Sequence, residues 1–174
     1  MKTFAKTALS VAMAATLLPA FAADVNYDTD IVVIGAGAAG TAASWAAAEK
    51  GLNVITLEKQ ALYGGTGKFS EGIFAVESSM QREWNYALTK DEAFQMIMRY
   101  GHWRGNAKMV RAFVDKSGET IDWMKANGVK FEKLFSNYPN GLYTWHIYEG
   151  RGMGWIKNFQ DKFAAKGQKL LLNT

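Results

Sequence analysis

The sequence predicts an α/β fold built on a parallel sheet, and three observations carry that prediction. Ile31-Val32-Val33-Ile34 is an unbroken run of β-branched residues with no polar alternation; a glycine-rich turn and an alanine-rich helical segment follow it at once; and a second apolar run, Val54 to Leu57, ends in an acid, Glu58. A strand with no polar face suits a parallel sheet covered on both sides, so burial of both faces of the first strand is expected. The helical segment "TAASWAAAEK" closes with Lys50 in its last turn and Gly51 beyond it, residues that favour a helix's negative end and let the chain turn away.

The turn itself is Gly35-Ala36-Gly37-Ala38-Ala39-Gly40. A G-x-G-x-x-G turn between a strand and a helix is the fingerprint of a Rossmann-like dinucleotide-binding unit, and each glycine has a task. Gly35 permits the tight turn, Gly37 lets the backbone approach a pyrophosphate, and Gly40 lets the helix close on the strand. The helix start adds unpaired N–H groups and a partial positive charge. Glu58 lies 23 residues after Gly35, where a carboxylate accepts hydrogen bonds from a ribose diol; an acid there, rather than an arginine, argues against a 2′-phosphate.

The first motif leaves NAD and FAD open, and the residues after Glu58 favour FAD. "KQALYGGTGKFSEGIFAVES" brings a second glycine turn, Gly64-Gly65, with Thr66, Lys68 and Ser70, where a simple NAD domain starts another short helix and strand. It is not a phosphate loop of the G-x-x-x-x-G-K-[ST] type, because position 62 is Leu and Phe69 follows Lys68.

Farther on, Thr89-Lys90-Asp91-Glu92 forms a capping box that opens a helix to about Tyr100. Asn106 caps a longer helix to about Ala126, with a break expected near Ser117-Gly118 and Gly128 ending it. Met109, Val110, Phe113, Val114, Ile121 and Met124 form its apolar stripe and are expected in the core. Arg104, Lys108 and Arg111 are placed on one solvated face, with Arg111 and Asp115 an i, i+4 pair. Residues 132–150 show little periodicity and are expected to form an aromatic loop packed on the domain. His146 within it is expected to be a satisfied structural histidine. The glycines Gly150, Gly152 and Gly154 precede the helix "WIKNFQDKFAAKG", and "KGQKLLLNT" reads as a helix end followed by an apolar strand.

The first 22 residues carry Lys2 and Lys6, an apolar run from Ala8 to Leu18, then Pro19 and the small-residue pattern Ala20-Phe21-Ala22. That is the layout of a secretory signal peptide cut before Ala23, and the run falls short of the roughly 20 apolar residues a membrane span needs. No Arg-Arg pair precedes it, so the chain is expected to cross a membrane unfolded and to reside in the periplasm. The leader's two lysines account for part of the formal net charge of +4. No polybasic run argues for nucleic acid as a partner. The chain has no Cys, which excludes a disulfide framework, a lipoprotein anchor, a c-type haem motif and a thiolate metal site within it. The two His are far apart in the chain, so no metal-ligand spacing arises.

The segments "IVVIGAGAAG", "ITLEK" and "GGTGKFSEG", with the later "VRAFVDKSGETIDWMKANGVKF" and "HIYEGRGMGWIKNFQDKFAAKGQKLLLNT", together resemble the flavoprotein subunits of fumarate reductase and succinate dehydrogenase. Within that family they are similar to the soluble exported reductases of fumarate, urocanate and related acids. The resemblance runs over essentially all of Asp30 to Thr174. It implies that Gly35, Ala36, Gly37, Ala39 and Gly40 hold the FAD pyrophosphate and that Glu58, with Lys59 beside it, holds the adenosine ribose. It further implies that Gly64, Gly65, Thr66, Gly67, Gly72 and Ile73 run along the flavin side. Two positions depart from the family pattern: Gly67 lacks the hydroxyl usual beside Thr66, and Ile73 replaces a common Gly. Neither His102 nor His146 lies in the second turn, where some members attach the flavin, so the resemblance implies non-covalent FAD.

The resemblance also implies an activity: hydride transfer from reduced flavin to the C=C bond of an α,β-unsaturated carboxylic acid such as fumarate, fed by a separate electron donor such as a cytochrome or flavoprotein. The family's catalytic Arg and His residues belong to later segments, so no catalytic residue is assigned here. Residues 23–174 are accordingly expected to be the N-terminal part of the FAD-binding domain of a longer protein, the remainder and the substrate-capping domain lying beyond Thr174. The alternatives are another FAD oxidoreductase, of the steroid dehydrogenase or amine/amino acid oxidase type, and an inactive truncated fragment.

Overall fold

The computed structural model describes residues 25–174; the expected leader, residues 1–22, lies outside the described residues. Strand β1 (Ile31–Ile34) runs through the first glycine turn into helix α1 (Ala38–Glu49), which returns the chain to strand β2 (Val54–Glu58). A 3-10 turn over Gly65–Phe69 and a short strand β3 (Gly72–Phe74) follow, then helices α2 (Ser79–Glu83), α3 (Lys90–Tyr100) and α4 (Ala107–Ala126). Strands β4 (Phe131–Phe135) and β5 (Trp145–Tyr148), helix α5 (Arg151–Ala165) and strand β6 (Lys169–Leu172) complete the chain.

The strands form two sheets. One is parallel in the order β1-β2-β6, with Ile31 opposite Val54 and Ile55 opposite Lys169; the other is antiparallel in the order β3-β5-β4. The expected α/β class with a parallel sheet is therefore present, and the β1–α1–β2 unit has the predicted bounds to within a residue, except that α1 starts three residues earlier, at Ala38, inside the glycine turn.

Side chains that are small and partly polar tie α1 down. Thr41, Ser44, Trp45 and Ala48 are its buried residues. Ser44 Oγ lies 2.6 Å from Thr56 Oγ1 on β2, Gln160 of α5 donates to Thr41 Oγ1 at 3.2 Å, and the Trp45 indole N–H donates to Asn127 Oδ1 at 2.7 Å. Small residues let α1 approach β2 and α5 closely, and each buried hydroxyl finds a partner, as burial demands. The main core gathers Trp45, Val54, Met124, Tyr148, Trp155, Ile156, Phe159 and Phe163, joining both sheets through α1, α4 and α5. Full burial of a residue such as Phe159 or Phe163 contributes roughly 1.5–3 kcal/mol each, and with no Cys in the chain this aromatic packing takes the place of covalent ties.

Six expectations require correction. β1 is not buried on both faces: Val32 is 53% and Ile34 87% exposed, because the strand sits at the sheet edge and no described element covers that face. Residues 132–150 are not one loop, since most of β4 and all of β5 lie there. Their alternation is hidden because β5 is apolar or aromatic on both faces, with His146 and Tyr148 buried and Trp145 and Ile147 half-buried. Helix α4 is unbroken at Ser117-Gly118; a Cβ at Gly118 would stand 2.5 Å from the Val76 carbonyl oxygen, so the glycine serves close packing rather than a break. On the same helix Val114, Ile121 and Met124 are buried, but Met109 and Phe113 are 69% and 50% exposed. Helix α5 begins at Arg151, ahead of its two internal glycines, and Arg104 precedes α4 instead of sharing its face.

The caps are as expected. Thr89 accepts from the Glu92 amide while Glu92 reaches back to the Thr89 amide, and Asn106 accepts from Met109. Arg111 bonds Asp115 and also Asp91, which holds its guanidinium firmly protonated.

His146 is wholly buried, its Nε2 2.7 Å from Ser78 Oγ and its Nδ1 3.1 Å from the Thr144 carbonyl. Burial lowers its pKa from the ordinary 6.5, with the Thr144 carbonyl opposing. The unfolded chain therefore binds this proton more readily than the folded one, so the stabilisation is complete above the ordinary histidine pKa and is lost as pH falls below it. Denaturation midpoints measured as a function of pH should decline from about pH 6.5 downward, and His146→Gln should flatten that part of the profile.

Candidate functional site

The residues singled out in the two glycine turns meet at one place. Gly35 leaves β1 with φ +94°, a left-handed conformation that costs glycine nothing, and its amide donates to the Leu57 carbonyl at 2.7 Å. The Ala36 peptide is then held from both sides. Its N–H donates to Glu58 Oε2 at 2.8 Å, and its carbonyl accepts from the Gly64 amide at 2.7 Å. The second turn thus lies against the first, and Gly64 (φ +101°) and Gly65 (φ +49°) give it the geometry to do so.

Gly40 shows why a side chain is not tolerated there. A Cβ would stand 1.7 Å from the Gly35 carbonyl oxygen, so α1 and the turn touch backbone to backbone. At Gly37, by contrast, a Cβ would meet nothing within 4 Å. Gly37 is the N-cap of α1 and brings no side chain to the helix's first amides, while Ala38 and Ala39 are exposed. The first turn of α1 therefore presents its N–H groups and the positive end of its dipole to open space. That is the cradle a pyrophosphate requires, and the residues present fit it.

Glu58 closes β2 at 7% exposure, and its carboxylate accepts from the amides of Gln60 at 2.9 Å and Ala36 at 2.8 Å. Those two hydrogen bonds, Gln60 first, hold its pKa below the usual carboxylate range against the opposing effect of burial, with the charge of Lys59 adding to them. A carboxylate offers about four acceptor positions. Two are occupied here, which leaves capacity for a diol. Lys59 beside it is exposed.

Gly65, Thr66 and Gly67 continue the same surface. A Cβ at Gly65 would stand 3.4 Å from Gly37 Cα, and one at Gly67 would stand 2.9 Å from Ala38 Cβ. Thr66 is exposed. Gly72 and Ile73 lie instead in β3, paired with Ile147 and His146 of β5. Gly72 is backed by the His146 carbonyl, 2.5 Å from where a Cβ would be, and Ile73 packs into the core.

The spaced glycines ahead of "WIKNFQDKFAAKG" point to close backbone packing near the flavin side, and the structure shows which backbone Gly152 meets. Gly152 in α5 has its amide bonded to the Ser70 carbonyl at 2.7 Å, and a Cβ there would stand 1.9 Å from the Gly67 carbonyl oxygen. Ile156 of the same helix reaches the second turn beneath Gly64 and Gly67. The spacing Gly150-x-Gly152-x-Gly154 carried the signal, but nothing local says which distant backbone it meets.

The family model described as FAD binding domain matches residues 30–161 of the chain. Vinyl phenol reductase of Lactiplantibacillus plantarum is 37% identical over 146 residues, which cover 83% of this chain and 29% of that protein. NADH:fumarate oxidoreductase of Klebsiella pneumoniae is 35% identical over 114 residues, 65% of this chain and 12% of that protein. Among solved structures, the open conformation of a flavocytochrome c3 fumarate reductase superposes with a TM-score of 0.73 at 23% identity, over 97% of this chain and 29% of that one. The chain thus spans less than a third of the length of each.

Two substitutions separate the roles of the glycines. Gly37→Ala has an extended backbone conformation open to alanine and free space around it; it should leave the unfolding free energy within about 0.5 kcal/mol while lowering flavin retention. Gly40→Ala meets backbone and should cost about 1–3 kcal/mol or more. Denaturant titration and the flavin-to-protein absorbance ratio read the two effects.

Glu58→Gln keeps the shape but turns one acceptor into a donor facing an amide. Flavin retention in the full-length protein should fall about tenfold, as measured by equilibrium dialysis.

Proposed function

The chain belongs to the FAD binding domain family, has the fold of a fumarate reductase flavoprotein and takes FAD as its cofactor, and from that premise we propose that it is the N-terminal part of an exported reductase acting on the C=C bond of an α,β-unsaturated carboxylic acid such as fumarate. The observation that carries the proposal is the bond from the Gly64 amide to the Ala36 carbonyl. It joins the second glycine turn to the first, so the binding surface continues beyond a pyrophosphate site toward a flavin.

Bound FAD supplies a two-electron carrier able to deliver a hydride to an electrophilic carbon. The chain's own residues bind and orient it. The amides at the start of α1, exposed by Gly37, Ala38 and Ala39, hold the pyrophosphate. Glu58 takes the ribose hydroxyls with Lys59 at its rim, and Gly64 to Gly67 flank the flavin side. Because the Ala36 peptide is clamped at both its N–H and its carbonyl, this cradle is set before the cofactor arrives, which reduces the ordering cost of binding. The FAD is held without a covalent bond: His146 is engaged in the second sheet and His102 lies in the α3–α4 connection. A carboxylate on the substrate must be polarised to stabilise charge developing at the α-carbon, and no residue of this chain is assigned to that task. Electrons come from a separate cytochrome or flavoprotein donor in the periplasm.

A second reading, reduction of a vinyl phenol, is favoured by the 37% identity to a protein of that activity across most of this chain.

The test is anaerobic reoxidation of the reduced full-length flavoprotein. Fumarate or urocanate should restore the oxidised flavin spectrum with one equivalent of saturated acid formed. Reoxidation by a vinyl phenol alone selects the second reading. Inertness to both, with turnover of steroids or amines, overturns the proposal.

A further inference from the structure

The connection between α3 and α4 has an unusual surface. From Arg99 to Met109 every residue is exposed. Tyr100 is 91%, Trp103 55% and Met109 69% exposed, large apolar groups at the tip of a helical hairpin. Around them stand Arg99, Arg104 and Lys108, none of which forms an ion pair with a described residue, in contrast to Arg111 farther along α4. No Asp or Glu occurs between Glu92 and Asp115. The tip is therefore cationic throughout, with aromatic and thioether side chains among the cations. His102 and Trp103 are also successive non-glycine residues with positive φ, 51° and 58°, a conformation that L-residues rarely adopt and that is held where a structure has a use for it.

We infer that the α3–α4 tip is a peripheral docking element for an anionic phospholipid surface. Amphipathic aromatic residues settle at the level of lipid headgroups, and unpaired Arg and Lys near an anionic leaflet are attracted to it. The size of the tip decides between a membrane and an acidic protein. A stable protein–protein contact takes roughly 20–30 residues from each side, more than this tip supplies. A lipid surface needs no matching contour and accepts a narrow insertion. Among the described residues no helix is long and apolar enough to cross a membrane, and the inferred contact is a peripheral one made by the tip. The inference is independent of the redox reading, since none of these residues belongs to the cradle.

Co-sedimentation of the FAD-loaded full-length protein with vesicles tests it. The protein should sediment with phosphatidylcholine vesicles containing phosphatidylglycerol, should stay in solution with phosphatidylcholine alone, and should be released by high salt. The triple variant Arg99→Glu, Arg104→Glu, Lys108→Glu should weaken binding about tenfold or more, and the independent variant Tyr100→Ser, Trp103→Ser should weaken it also, both with flavin content and melting temperature unchanged. Trp103 fluorescence should shift to the blue on the vesicles. Equal partition onto neutral vesicles, retention by the charge-reversed variant, a Trp103 already shielded from aqueous quencher in the free full-length protein, or saturable binding of an acidic protein in place of lipid would each overturn it.

Discussion

The Ala36 peptide is the point on which the rest of the site depends. Its N–H is taken by the carboxylate that ends β2 and its carbonyl by the amide that opens the second glycine turn. One planar group thus fixes a strand end and two turns relative to one another. The contacts around it are backbone against backbone: Gly40 on Gly35, Gly65 on Gly37, Gly152 on Gly67. A main chain approaches another main chain this closely only where no Cβ stands between, so the glycines are placed by mutual contact as much as by conformational need.

The electrostatics follow from the same arrangement. Glu58 is nearly excluded from solvent yet stays ionised, because amides of Gln60 and Ala36 replace the water it has lost. It stands one strand away from the start of α1, whose dipole favours negative charge in the space above Gly37. On the proposed reading the two features would divide the labour along a dinucleotide, positive potential for the diphosphate and acceptor oxygen for the sugar. The neutral, fully bonded His146 lies in the other sheet and takes no part.

What was legible in the sequence was local. The β1–α1–β2 unit announced itself through a β-branched run, a six-residue glycine pattern and an acid at fixed spacing, and the caps at Thr89 and Asn106 depend on residues three apart. What was not legible depended on distant partners. Ile34 looks like a core residue until the sheet order leaves it at an edge. Trp145 and Ile147 erase the alternation of β5 because that strand carries apolar or aromatic side chains on its half-buried face as well as on its buried one. Gly118 looks like a helix breaker, and only the Val76 carbonyl beside it shows that it is a contact surface. In the site, Gly72 has the expected motif position but answers to β5, whereas Gly152, outside the motif, answers to the second turn.

The sheet order β1-β2-β6 carries a kinetic implication. Neighbours β2 and β6 are separated in the chain by the whole antiparallel sheet and four helices. Closing so long a loop is entropically expensive until the intervening segment has collapsed. The local β1–α1–β2 unit, the β3–β5–β4 layer and the α3–α4 hairpin would therefore assemble first, and the third parallel strand would dock last, against β2.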